Sequence, residues 1–469
     1  MPTKYLIFYL AVLIGVPLGT ALSTSSRLIR DGVLVLMVWC TCMPDLTGIN
    51  FVSREFYRAS TRGFEVNLSD LCALILFFTM LVRKEYRPFH WLPPLTWPVF
   101  LYVGVIFLSW VLVSPNLLPV PLTGGGERLP FDWFEIRLYP LFELSKVVRG
   151  FFVYLVMVNY VRDERALRAF LVGVSLTILY MTYVAVTDRY LFGINRVRAS
   201  LGHPNSLATY MAMLGTVVFA ACLQRESFVT SGALAFLEAC CGVVVILTIS
   251  RGGLAAMGLG ICTLLLFLFH RYMTLKNFII IFAGMVVAAV MLAYAANTLM
   301  RRFTQEQNVS ADLEYRGFYN AEAKLMAHDF PFGVGLGNFS AYSWHRYAAL
   351  VDPDKPPGTP AHNVWYLNLG ELGWPGLFAF GFFWLRFYQL SARFFFERAR
   401  DAAHAVAVGA VVATLVCQLQ SLLQLGYRQS PMFFLLMMLM GVAMAVRYMD
   451  LTTAKAAPGA GGGPGSPVS

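Results

Sequence analysis

The stretch 188–204, DRYLFGINRVRASLGHP, lies between two apolar runs yet carries Arg189, Arg196 and Arg198. Arg251 sits in TISRGG, at the end of a later run. A short turn between membrane segments is poor in arginine unless the charge has a task. A guanidinium stays charged and offers planar, bidentate bonds to phosphate oxygens, so the set reads as a phosphate clamp. Snorkelling to lipid headgroups is the bland alternative for any single member. Gly252 and Gly253 follow Arg251; they would let backbone approach a ligand closely, or serve helix packing.

The other candidates are His203, Asn205 and His362. Pro204 is suited to the first turn of a helix, with Asn205 just inside it. That helix N-terminus could help hold an anion, or His203 and Asn205 could only cap the turn. His362 lies at the end of a long polar connection, immediately before an aromatic apolar segment. A histidine titrating near neutrality can take a proton from an attacking hydroxyl; capping a helix is the competing role. His203, His328 and His345 fall on the same side of the expected topology, whereas His90, His270 and His404 fall on the other. Glu371 follows His362 by nine positions, a spacing that puts the two on different faces of an unbroken helix. It reads as structural. Glu238 is the one acid expected deep in the bilayer, where pairing or a cavity would be needed.

The elements that must position these groups follow from composition. Of 469 residues, 58% are hydrophobic and 13% charged, against about 25% charged in soluble domains. Mean hydropathy is +0.63. Lipid is therefore the main solvent, and the expected fold is an all-α polytopic membrane protein with 12 or 13 transmembrane helices. Apolar runs lie near 5–22, 32–49, 66–82, 94–113, 147–161, 167–186, 205–223, 231–249, 253–270, 277–297, 372–390, 404–424 and 430–447. The net charge of +10 resides largely in short loops: Arg83, Lys84 and Arg87; Arg162, Arg165 and Arg168; Arg271 and Lys276; Arg393, Arg398 and Arg400. The positive-inside rule puts these loops in the cytoplasm. No basic patch with interleaved aromatics stands apart from the spans, which argues against nucleic acid as a partner.

Two long connections fall on the outer side. Residues 114–146 hold three basic and four acidic residues, and 298–362 hold six and seven, so each sums to −1. The second is too long for a plain connector and is expected to form a partly helical cap over a cavity, with 314–327 helical. The expected organisation is transmembrane helices over 1–297, the cap over 298–362, further transmembrane helices over 363–450, and a disordered cytoplasmic tail over 451–469. The eight cysteines show no zinc-type spacing and read as small hydrophobes. The stretch GVGLGN near residue 335 looks like a nucleotide loop but belongs to no strand–helix unit. A tight turn at the membrane surface is expected instead. No repeat relates the two halves, which speaks against a secondary transporter.

In order along the chain, these pieces resemble the O-antigen ligase and polymerase superfamily. They are an arginine before a Pro-Asn helix start (Arg198, Pro204, Asn205), Ser250-Arg251-Gly252, Arg316 with a following helix, FGVGLGNF at 332–339, and His362-Asn363 with Glu371-Leu372-Gly373 downstream. The resemblance covers about 190–380. It implies a bacterial inner-membrane glycosyltransferase with a periplasmic active site, closest to the lipopolysaccharide O-antigen ligases. Such an enzyme moves a glycan from undecaprenyl diphosphate to lipid A-core or another glycan acceptor, without metal or other cofactor. Carried over, His362, Arg198 and Arg251 would be catalytic, with the two arginines on the diphosphate. Arg196, Arg316, His203, Asn205, Asn338 and Asn363 would bind substrate. Three arginines precede Pro204, so Arg196 and Arg198 remain alternatives.

Overall fold

A computed structural model of the chain describes residues 3–51, 64–112, 133–224, 227–304, 306–355, 357–396 and 401–456. A long apolar segment in lipid must satisfy its own backbone hydrogen bonds, which a helix does. Accordingly the apolar runs fall on helices: α1 (Tyr5–Ser25), α2 (Arg27–Trp39), α3 (Leu68–Val82), α4 (Thr96–Leu112), α5 (Trp133–Tyr160), α6 (Glu164–Tyr190) and α7 (Pro204–Gln224). Then follow α8 (Phe228–Leu247), α9 (Arg251–Tyr272), α10 (Leu275–Thr304), α11 (Glu306–Asp329), α12 (Val364–Ser391), α13 (Ala402–Ser421) and α14 (Ser430–Ala456). Seven of the described helices, α1, α6, α7, α8, α9, α13 and α14, are long and apolar enough to cross a membrane. α3, α4 and the first part of α10 are shorter apolar helices. The fold is that of an all-α, multi-pass membrane protein.

Three expected boundaries change. The run 32–49 does not stay helical: α2 ends at Trp39, a 3-10 turn follows at Cys40–Cys42, and Gly48–Asn50 forms a strand (β1). β1 pairs antiparallel with β2 (Glu65–Asn67), with Ile49 opposite Val66. The connection 114–146 is helical from Trp133, since α5 starts there; 113–132 lie outside the described residues. The tail expected at 451–469 begins as the last turns of α14, and 457–469 lie outside the described residues.

α7 is the axis of the bundle. Its apolar stretch is wholly buried, and it packs against α8, α9 and α13. A Cβ on Gly409 of α13 would sit 2.8 Å from Ala220 Cβ and 3.0 Å from Val217 Cα. The two backbones thus meet through a small residue, as helices do where lipid removes the hydrophobic drive to associate. α1, at the rim, shows Leu6, Ile7, Leu13 and Leu18 outward. At one end of the bundle the short turns are tied by ion pairs: Arg30 to Glu85 (2.7 Å), Arg165 to Asp31 (2.8 Å), and Arg27 to Asp163. The candidate site lies at the other end.

Candidate functional site

α11 lies along α12 and, with the chain that follows it, forms a cap with its own core. Phe318, Tyr319, Ala323 and Met326 of α11 pack with Val334, Phe339, Tyr342 and Leu367. Between core and α12 runs the glycine-rich stretch. Gly333, Gly335 and Gly337 have φ of +76°, +94° and +88°, in the left-handed region that side chains avoid. Val334 N–H donates to Gly370 O (3.1 Å) and Gly335 N–H to Glu371 O (2.9 Å). Those carbonyls are available because α12 breaks at Gly373 (φ +66°, ψ −164°), two residues before Pro375. A Cβ on Gly373 would lie 1.8 Å from Pro331 O, and one on Gly333 2.2 Å from the Glu371 carbonyl carbon. The stretch is therefore a clamp on the broken helix, the tight turn expected of it.

A buried ion network holds the neighbouring turn. Arg428, between α13 and α14, pairs with Glu371 (2.6 Å) and approaches Glu143 of α5 (3.9 Å). Lys146 pairs with Glu143 (2.6 Å) and donates to Arg428 O (2.6 Å). The four residues are at most 5% exposed, and two acids balance two bases. Glu371 is thus structural, as its spacing from His362 suggested.

Under the cap opens a cavity of about 580 Å³. Its walls come from four separate parts of the chain: the turn before α7 with that helix's first residues, α11, His362, and the turn 423–429. Arg196, His203, Asn205, Arg316 and His362 all line it. Arg196 Nη2 donates to Asn205 Oδ1 (2.7 Å), and its Nε donates to Thr248 O (3.3 Å). It thereby laces together two turns that carry Ala199 (φ +44°) and Ile249 (φ +51°), the two non-glycine residues with positive φ among the described residues. Such strain costs on the order of 1–3 kcal/mol per residue and collects at functional sites.

His203 both caps α7 and faces the cavity. Its Nδ1 accepts the Asn205 N–H (3.3 Å), so the neutral ring carries its proton on Nε2. Burial, and then the neighbouring Arg196 charge, pull its pKa below the usual histidine value. His362 lies one residue before the cap of α12, with its ring centroid 6.2 Å from that of Tyr319, edge to face. The cap of α12 is Asn363, whose Oδ1 accepts from the Trp365 and Tyr366 amides (2.9 and 3.4 Å).

The geometry departs from the expected set at several residues. Arg198 is exposed and is not part of the cavity wall, whereas Arg196 is; in extended chain the two would share a side, but the backbone at Arg198 leaves the extended region (φ −125°, ψ −15°) as the 3-10 turn begins. Arg251 opens α9 at the same end of the bundle, after a Ser250 cap on Gly253 N–H (3.1 Å), but is also off the wall. Asn338 is 2% exposed and donates to Val334 O (3.1 Å), so it braces the glycine turn and does not line the cavity. Asn363 is likewise committed to its helix. Glu238 is not paired: both carboxyl oxygens are buried against α7 near Gly215, with no hydrogen-bond partner among the described residues.

The cavity wall also includes the turn 423–429, Ser206, Tyr315 and Tyr319, which no motif in the sequence marks. A usable signal existed. Gln418, Gln420, Gln424 and Gln429 crowd the end of an otherwise apolar run, and carboxamides there are costly unless used.

Among the competing histidines, His345 is buried in the cap, and burial lowers its pKa. Glu322 is fully buried on α11 beside Ser343, and burial raises its carboxyl to about 8.

No curated protein matches the chain. Residues 236–381 match the family model described as O-antigen ligase, a segment that carries Arg251, Arg316, the glycine clamp and His362 but neither Arg196 nor the turn 423–429. Through that segment, about a third of its length, the chain is similar to the O-antigen ligases, which supports a place in that superfamily.

Proposed function

We propose that the chain transfers a glycan from undecaprenyl diphosphate to an acceptor hydroxyl, that of lipid A-core, at the periplasmic face of the inner membrane. The observation that carries this reading is the single cavity that gathers Arg196, Arg316, His203 and His362 between the cap and the end of the bundle. A diphosphate ester of a polyprenol needs cationic groups at the membrane surface, and an acceptor hydroxyl needs a base. The cavity supplies both.

In the proposed step His362 takes the proton of the acceptor hydroxyl as its oxygen attacks the anomeric carbon. The bond from that carbon to the diphosphate oxygen breaks, and undecaprenyl diphosphate leaves with the electron pair. Negative charge grows on the leaving group, so preplaced guanidinium groups stabilise the transition state more than the ground state. Arg196, fixed by Asn205 and Thr248 O, is preorganised for that task, and Arg316 approaches from the cap. The positive charge these residues supply makes a metal unnecessary in this scheme. Attack opposite the leaving group inverts the anomeric centre.

The test uses purified full-length protein with undecaprenyl-diphosphate-linked glycan and lipid A-core, with EDTA present. Glycosylated lipid A-core is the expected product. Elongation of the donor itself would make the enzyme a polymerase, and no turnover with either acceptor would contradict the reading.

A further inference from the structure

The cationic residues account for only part of the cavity. Gln424 and Gln429, from the turn between α13 and α14, line it too, together with Tyr315 and Tyr319 of α11. Gln424 is 8% exposed and lines the cavity. The turn that presents the pair is anchored from within, because Arg428 lies in the same turn and is held by Glu371 and Glu143. A carboxamide on a braced turn loses little entropy when it binds, so it can discriminate.

The chemistry of this wall differs from that of the arginines. A carboxamide offers two N–H donors and a carbonyl acceptor in one plane. That matches neighbouring hydroxyls on a sugar ring, each of which both donates and accepts. Being neutral, it has none of the charge-assisted attraction that makes arginine the phosphate ligand. Tyrosine rings beside it give the apolar face of a pyranose a surface to lie on.

Resting on the transfer reading above, we infer that Gln424 and Gln429 form a carbohydrate subsite, which binds the sugar next to the diphosphate while Arg196 and Arg316 bind the diphosphate itself. This division gives the cavity its substrate class: a hydroxyl-rich glycan on a lipid diphosphate, read at both parts. Gln424 and Gln429 lie outside the segment that matches the family model, whereas Tyr315 and Tyr319 lie within it. The glutamine pair is the natural place for one chain to set its own sugar preference.

The experiment is binding of two probes to the full-length protein in nanodiscs: undecaprenyl diphosphate, and the same lipid diphosphate carrying its glycan. The wild type binds the glycosylated lipid more tightly. Gln424→Leu and Gln429→Leu each reduce that affinity by roughly three- to tenfold, the cost of one or two lost hydrogen bonds, and leave undecaprenyl diphosphate binding unchanged. Arg196→Ala weakens both probes. Thermal unfolding is followed in parallel, and Gln429→Leu, at the less buried position, carries the test should Gln424→Leu lower Tm. Unchanged affinity of the glutamine variants for the glycosylated lipid would overturn the subsite, as would an equal loss for both probes. A wild type that binds the glycosylated lipid no better than the bare one would also overturn it. If the wild type bound neither probe, the transfer reading itself would fail.

Discussion

Arg196 and Arg198 show how far residue types carry and where they stop. Sequence marked an arginine before Pro204 as a phosphate ligand but left two alternatives, because the choice depends on which side of an irregular turn each side chain takes. The structure separates them: Arg196 lines the cavity and is fixed by Asn205 and Thr248 O, while Arg198 is exposed. Arg196→Ala is therefore expected to lower transfer by about 10²- to 10³-fold, as loss of a preorganised charge stabiliser does. Arg198→Ala should stay within about threefold of wild type, as surface substitutions do. Rates of glycan transfer by the two variants, at matched folded protein, decide it. His203 adds a pH dependence. Its pKa is lowered from 6.5, so the neutral ring is the folded form's preference. The associated stability is present above 6.5 and is lost as pH falls through the lowered value. Protonation at Nδ1 would break the bond from Asn205 N–H and set a second cation beside Arg196. Activity should fall on the acid side of that range, and His203→Asn, which can still cap the helix, should flatten that limb of the pH–rate profile. Asn338 and Asn363 were legible as residues of a motif but not as braces, since bracing depends on backbone partners that only folding brings near.

At the scale of elements, the helical runs were legible because lipid enforces length and apolarity together. The break in α12 was harder to see. Gly373 and Pro375 hinted at it, but its meaning comes from the glycine stretch clamped on Gly370 and Glu371. Gly373→Ala would force a side chain at φ +66° into Pro331 O. It is expected to destabilise by at least about 1–3 kcal/mol, read as a lower Tm in detergent. The cap has its own titration. Burial raises the Glu322 carboxyl from 4.5 to about 8, so the folded cap favours the protonated form. That contribution is complete below 4.5 and is lost as pH rises through about 8. Hydrogen-exchange protection over 314–351, corrected for the intrinsic rise of exchange with pH, should therefore fall as pH rises from 4.5 to about 8, and Glu322→Gln should remove most of that change. Exchange that responds to pH equally in both proteins would refute the assignment.

For the whole molecule, the two ends of the bundle divide the labour. One end holds ion pairs between short basic turns, with Arg30 and Asp31 buried and their partners at the surface, the pattern expected of a cytoplasmic face. The other holds the cavity, and beneath it the Glu143, Lys146, Glu371 and Arg428 network joins α5, α12 and the α13–α14 turn. No periodicity announces such a network: Glu143 and Lys146 are neighbours on α5, but Glu371 and Arg428 lie far from them in sequence and meet them only through the fold. Removing one member strands a buried charge. Arg428→Met is expected to cost about 3–5 kcal/mol, and Glu371→Gln with Arg428→Met less than the sum of the two, as measured by thermal unfolding. The central claim is that His362 and the arginines act on one bound donor in this cavity. It is tested most directly by single-turnover transfer from preloaded undecaprenyl-diphosphate-linked glycan to lipid A-core, comparing wild type with His362→Ala. Donor binding close to wild type is expected, with a transfer rate lower by about 10²- to 10⁴-fold, the range for loss of a general base. Transfer by His362→Ala at the wild-type rate would contradict it.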